Sequence, residues 1–221
     1  MTRTLKYATR APLSGQAKSM VVFLHGYGAN GADLLGLADP LAPHLKDTVF
    51  VAPDAPDAIA GMPFGLQWFP IPWIDGSTEE QAKAGLVAAS ADLNAFLDTL
   101  LEEQGVAAEN CVLFGFSQGT MMALHVAPRR AETFAGVVAF SGRLLVPELL
   151  EEQAISKPPV MLIHGDQDDV VPPQSLSEAG DALSKAGFEV YAHVMQGTAH
   201  SIAPDGLSVA NQFLMQKLGY S

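Results

Sequence analysis

Residues 111–124 read Cys-Val-Leu-Phe-Gly-Phe-Ser-Gln-Gly-Thr-Met-Met-Ala-Leu. Cys111 to Phe114 is a short run of strand formers, and Thr120 to Leu124 reads as the start of a helix. Between them, Gly115 and Gly119 stand two positions either side of Ser117. A serine held in a tight strand-to-helix turn has a strained backbone, and only small flanking residues let the two elements pack so closely. Ser117 is therefore the candidate nucleophile. The pentapeptide alone is a weak signal that an ordinary glycine-flanked turn would also give, so the flanking strand and helix carry the reading.

Outward from this turn, short apolar runs recur at Met20 to Leu24, Val49 to Ala52, Gly136 to Phe140, Val160 to Ile163 and Val190 to Val194. Most are nearly continuous rather than alternating, as strands buried on both faces of a parallel sheet are. Helical stretches separate them. The clearest runs from Thr78 to Gln104, with Leu86, Leu93, Leu97 and Leu100 on one face, a capping box from Thr78 and Gln81, and Gly105 as its stop. Strand and helix in alternation predict one α/β domain over residues 1–221, with a mostly parallel sheet covered on both faces. The interval from Ser141 to Pro159 is too short for a separate cap domain. The stretch from Asp54 to Ser77 has no clear period, is rich in Pro and Gly, and holds both tryptophans, Trp68 and Trp73. Long loops of this kind are uncommon unless they bind something.

The 221 residues are 48% apolar, enough for a substantial core, and carry a net charge of −12. That charge, with scattered Lys and Arg, argues against nucleic acid or anionic membrane surfaces as partners. The first ten residues lack the apolar core of a secretion signal, and no run reaches membrane-span length on this reading, so a cytoplasmic protein without stable membrane insertion is expected. The lone Cys111 reads as a small buried side chain. An apolar patch could support a homodimer, with no indication of which face.

A serine hydroxyl needs a base, and an imidazole base needs an acid that fixes its tautomer. His200 lies in Gly197-Thr198-Ala199-His200-Ser201, a turn-like stretch between an apolar strand and a helix that Pro204 can start. His125 sits two turns into the helix after Ser117, His193 lies within a strand, and His44 follows Pro43; packing or surface roles suit them better. The acid should come from the turn after Val160 to Ile163, where Asp166, Asp168 and Asp169 crowd together. Two backbone donors must meet the oxyanion of an acyl-transfer intermediate. Gln118 N–H, directly after the nucleophile, is one, and Tyr27 N–H in Leu24-His25-Gly26-Tyr27-Gly28 is the other. His25 is expected to brace that loop. No metal or other cofactor is expected: there is no His-Glu-x-x-His, no Cys-rich spacing, and no companion histidine set for the aspartates.

Taken together, Leu24-His25-Gly26-Tyr27-Gly28, Gly115-Phe116-Ser117-Gln118-Gly119, His164-Gly165-Asp166-Gln167-Asp168 with Val170-Val171-Pro172, and Gly197-Thr198-Ala199-His200-Ser201 with Pro204 resemble the phospholipase/carboxylesterase family. This is the compact α/β-hydrolase group that includes bacterial carboxylesterases and acyl-protein thioesterases. The resemblance spans about residues 20 to 215 and implies Ser117, Asp168 and His200 as a triad, with Tyr27 and Gln118 as backbone donors. It also implies that the loop from Met62 to Trp73 shapes the substrate groove, with Met62, Phe64, Trp68, Phe69 and Trp73 as its candidate lining. Asp169 stands where the family usually has proline, and Thr120 where it commonly has glycine, which is expected to tighten the start of the helix. The expected activity is hydrolysis of short to medium acyl esters of small molecules. Acyl-protein thioesters or lysophospholipids are the alternative substrates. A non-catalytic homologue would be expected to have lost one of these groups.

Overall fold

A computed structural model describes residues 2–220. In chain order the elements are β1 Tyr7–Arg10, β2 Ser19–Leu24, α1 Gly31–Leu35, α2 Ala38–Leu41, β3 Thr48–Pro53, β4 Asp57–Ala58, β5 Leu66–Gln67, α3 Pro72–Asp75, α4 Glu79–Gln104 and β6 Cys111–Phe116. They continue with α5 Gln118–Val126, β7 Gly136–Phe140, α6 Leu150–Gln153, β8 Val160–Gly165, α7 Gln174–Lys185, β9 Val190–Met195 and α8 Pro204–Lys217. Seven strands form one sheet in the order β1-β3-β2-β6-β7-β8-β9. Every pairing is parallel except β1 with β3.

The continuous apolar runs become strands because both faces of the sheet are covered. All residues of β2, β3, β7 and β8 are buried. Alternate side chains then divide between two cores. Val22, Leu24, Leu113, Val137 and Leu162 join Leu93 and Leu97 of α4, Met122 of α5 and Leu183 of α7. Val21, Phe23, Phe114, Val138 and Phe140 join Leu34 and Leu41 on one side and Phe213 and Leu214 of α8 on the other. Truncating one such leucine to alanine costs about 2–5 kcal/mol.

Helix α4 starts and stops where its capping residues dictate. Thr78 Oγ1 accepts from Gln81 N, Gln81 Oε1 accepts from Thr78 N, and Gly105 follows in the left-handed region at φ 62°. Leu93, Leu97 and Leu100 are buried, while Leu86 is only half-buried. The sequence reading of no membrane-length apolar run needs correction. An 18-residue window of α4 has mean hydropathy 1.3, long and apolar enough on composition to cross a membrane. Alanines on its outer side raise that value, and here the helix packs against α5 and the core.

The stretch from Asp54 to Ser77 is less irregular than its sequence suggests. It folds back as the β4–β5 antiparallel ribbon and then forms α3. Strand β9 is an edge strand in which only Met195 is buried, with Val190 packed against the α7 side and Met195 against the α8 side. Between Ser141 and Pro159 the only α-helix is the four-residue α6.

Candidate active site

The carboxyl ends of β2, β6, β8 and β9 bring the motif residues to one edge of the sheet. Ser117 joins β6 to α5 with φ 54° and ψ −116°, a conformation that L-residues rarely hold and that costs about 1–3 kcal/mol. Its N–H donates to Phe140 O at 2.9 Å. A β-carbon at Gly119 would lie 1.8 Å from Leu24 O, and one at Gly115 would lie 2.5 Å from Thr120 N. Both glycines are thus required by backbone approach. Thr120 packs closely at the start of the helix, as its sequence position suggests. Its hydroxyl donates to the same Phe140 carbonyl at 2.7 Å, and its bulk fills space left by Gly142, where a β-carbon would meet Thr120 Cβ at 2.4 Å.

Of the three aspartates, Asp168 meets the histidine. His200 Nδ1 lies 2.7 Å from Asp168 Oδ2, and a carboxylate only accepts, so Nδ1 carries the hydrogen, the tautomer that in the neutral ring leaves a lone pair on Nε2. Asp168 Oδ1 accepts from Val170 N and Val171 N, each at 2.9 Å. The Asp168 carboxylate is fully buried, so these donors replace water. His164 adds a contact that the motif reading left without a role: its Nε2 sits 2.9 Å from Val171 O and 3.2 Å from Asp168 Oδ2. Asp166 ties two loops together by accepting from Gly197 N at 2.6 Å. Asp169, the departure from the family pattern, faces solvent.

His200 packs against Phe116, the residue before the nucleophile, with ring centroids 4.9 Å apart. Ser117 Oγ and the imidazole share no hydrogen bond among the described residues; such contacts commonly tighten only when substrate binds. The other histidines are engaged elsewhere or solvated. His193 pairs with Asp205 at 2.9 Å, and His44 is exposed. On α5, His125 is held down to about 4 by burial and then by Arg129.

His25 braces the glycine loop, as expected. Its Nδ1 meets Gly26 O at 2.8 Å and its Nε2 accepts from Ala55 N at 2.9 Å, a pattern only the neutral ring satisfies. Burial lowers its pKa in the same sense. The loop presses on the elbow: a β-carbon at Gly26 would lie 3.2 Å from Ser117 Cβ. Gly28, at φ 83°, donates to Leu66 O at 2.9 Å. Among the described residues, the N–H groups of Tyr27 and Gln118 donate to no protein acceptor.

The five candidate lining residues do not form one wall. Trp68 is completely buried, its indole N–H donating to His25 O at 2.9 Å, so it supports the glycine loop from behind and has no surface to offer a groove. Phe69 and Trp73 line an apolar cavity of about 160 Å³ with Ile71, Met121, Leu145 and Val146. Met62 stands exposed beside Gly28, and Phe64, 83% exposed, borders a different depression with Tyr7 and Asn30. Met121, Leu145 and Val146 were not anticipated. Met121 could have been, because it lies one turn beyond Ser117, and its N–H donates to Ser117 O at 3.2 Å. Val146 had no such signal; its left-handed backbone, φ 44°, is visible only in the fold. The described residues contain no cluster of three or more His, Cys, Asp or Glu side chains that could hold a metal ion.

Comparison with known proteins agrees with this geometry. Residues 9–218 match the Phospholipase/Carboxylesterase family. The esterase YpfH of Escherichia coli is 29% identical over 93% of this chain and 84% of its own length. Acyl-protein thioesterase 1 of Saccharomyces cerevisiae is 30% identical over 91% of this chain and 94% of its own. The crystal structure of esterase PE8 superposes with a TM-score of 0.92 at 43% identity, covering 98% of this chain and 100% of that one. The chain therefore belongs to the phospholipase/carboxylesterase family of α/β-hydrolases, a family of serine hydrolases.

Proposed function

We propose that the whole chain is one catalytic unit that hydrolyses short to medium acyl esters of small molecules through an acyl-enzyme on Ser117. The observation that carries this is His200 held on the buried Asp168 carboxylate and packed through Phe116 against the strained Ser117 turn. Ser117 Oγ attacks the ester carbonyl while its proton passes to His200 Nε2, and His200 Nδ1–H remains on the Asp168 carboxylate. The N–H groups of Tyr27 and Gln118 receive the oxyanion; losing one such donor typically costs about 3 kcal/mol in the transition state. Collapse breaks the bond to the alcohol oxygen, which takes the proton from Nε2. Water then attacks the acyl-enzyme by the same route and returns Ser117. The apolar cavity beyond Phe69 and Met121 holds the acyl chain. The acidic surface and buried single cysteine suit a cytoplasmic enzyme.

Thioester hydrolysis is the second reading, favoured by the apolar cavity and the named thioesterases among the relatives. A p-nitrophenyl ester series from acetate to palmitate, with acyl thioesters in parallel, separates the two. The ester reading predicts a short-chain optimum that Ser117→Ala lowers by at least about 10³-fold with the fold intact. A long-chain or thioester optimum moves the substrate class, and turnover that survives Ser117→Ala removes the mechanism.

A further inference from the structure

The side chain of Gln118 does work separate from its backbone N–H. It is fully buried, its Oε1 accepts from Trp68 N at 2.9 Å, and its Nε2 donates to Phe69 O at 2.7 Å. One amide thus grips two successive residues of the loop after β5, as a neighbouring strand would. This loop and β5 before it are tied to the glycine loop by Trp68 Nε1 to His25 O at 2.9 Å, by Gly28 N to Leu66 O at 2.9 Å and by Leu66 N to Ala29 O at 3.0 Å. Residues Leu66 to Phe69 therefore form a strut between the segments that present the two free N–H groups. At its far end, Phe69 is a wall of the apolar cavity.

The geometry points to Gln118 as a positioning residue for acyl-chain specificity, coupling the Phe69 wall of the cavity to the oxyanion donor through its own side chain. This rests on the esterase reading above. Because clamp and donor share one residue, a chain that seats well against Phe69 holds Gln118 N–H where the oxyanion forms. A chain that does not reach Phe69 gains nothing from it. Misplacement of about 1 Å at such a donor can cost about 10²-fold in rate, so a small shift of the wall is enough to matter. Selection by chain length then appears in kcat as well as in KM. The adjacent Trp68 indole acts differently: it props the glycine loop and is not itself a wall of the cavity, so its loss should affect all esters alike.

The test is a double-mutant cycle read as the butanoate-to-acetate ratio of kcat/KM for p-nitrophenyl esters. Gln118→Met is close in volume but makes neither hydrogen bond. It should lower the ratio about 10-fold, the scale of discrimination a methylene or two commands in an apolar pocket, with the change falling on kcat. In a Phe69→Ala background the same substitution should change the ratio less than about 2-fold, because the wall it acts through is gone. Trp68→Phe should lower both esters in the same proportion. Gln118→Glu keeps the acceptor for Trp68 N–H and gives the same comparison in a chain that retains half the clamp, should the methionine variant fail to fold. A Gln118 variant that slows both esters equally, or an effect that is additive with Phe69→Ala, would reduce the clamp to a structural tie and overturn the inference. A wild type with no chain-length dependence would likewise overturn it, whereas turnover independent of Ser117 would instead strike the esterase reading itself.

Discussion

At Gly119 a single added carbon decides whether the elbow can form. Its β-carbon would fall 1.8 Å from Leu24 O, a backbone atom that cannot swing away. Gly119→Ala should therefore separate α5 from β2, destabilise the chain by several kcal/mol and abolish turnover even though Ser117 is untouched. Urea denaturation and an ester assay on the same preparation check this; a variant with wild-type midpoint and activity would show that the close approach is unnecessary. This is also why Ser117 was legible in the sequence: the turn's stereochemistry demands glycine at fixed offsets, so the demand is written locally. Asp168 was not legible in that way. Three aspartates share one turn, and only the placement of Val170 N, Val171 N and His200 around one carboxylate selects among them. Trp68 was misread for a related reason. Its burial depends on Gln118 and His25, 50 and 43 residues away in sequence, and nothing in the aromatic loop signals those partners.

Among the elements, α4 was the most readable because its signals are its own: a reciprocal cap at Thr78 and Gln81, a leucine face, and a left-handed glycine. Thr78→Ala should remove one half of the cap and cost about 1 kcal/mol, lowering the thermal midpoint by a few degrees with little change in kcat for acetate, since neither Thr78 nor Gln81 lines the cavity, although Glu79 and Ala82 of the same turn do. Calorimetry beside the ester assay would show it; an unchanged midpoint would mean that the helix start is held by tertiary packing alone. Strand β1 was invisible at this scale. Tyr-Ala-Thr-Arg is four residues long, half-exposed, and becomes a strand only by antiparallel pairing with the edge of β3. The ribbon of β4 and β5 is shorter still, two residues each, and its pairing of Ala58 with Leu66 spans a turn whose sequence has no period to read. In each case the missing information is a partner, not a propensity.

For the molecule as a whole, alternation of apolar runs with helices was sufficient to predict a mostly parallel sheet clothed on both faces, because continuous burial leaves no polar side in a strand. The whole chain also carries a pH signature. Burial holds His25 and His125 neutral in the fold, with His125 at about 4, whereas both titrate near 6.5 in the unfolded chain. The unfolded state thus binds more protons below about 6.5, and their contribution to stability, complete above that pH, is lost progressively down to the folded values. Urea midpoints should fall between pH 7 and 4.5, and His125→Gln, at a half-buried site, should lessen that fall; an equal fall in variant and wild type would place the acid sensitivity elsewhere. The claim on which the rest depends is that Ser117, activated by His200, forms the covalent acyl-enzyme. The most direct measurement is labelling with a fluorophosphonate followed by peptide mass spectrometry, in the wild type and in His200→Ala. The account predicts one adduct per chain, on Ser117, formed in step with loss of esterase activity and slowed by orders of magnitude without His200. An active enzyme that takes no label, or a label that silences it from any other residue, would contradict the account.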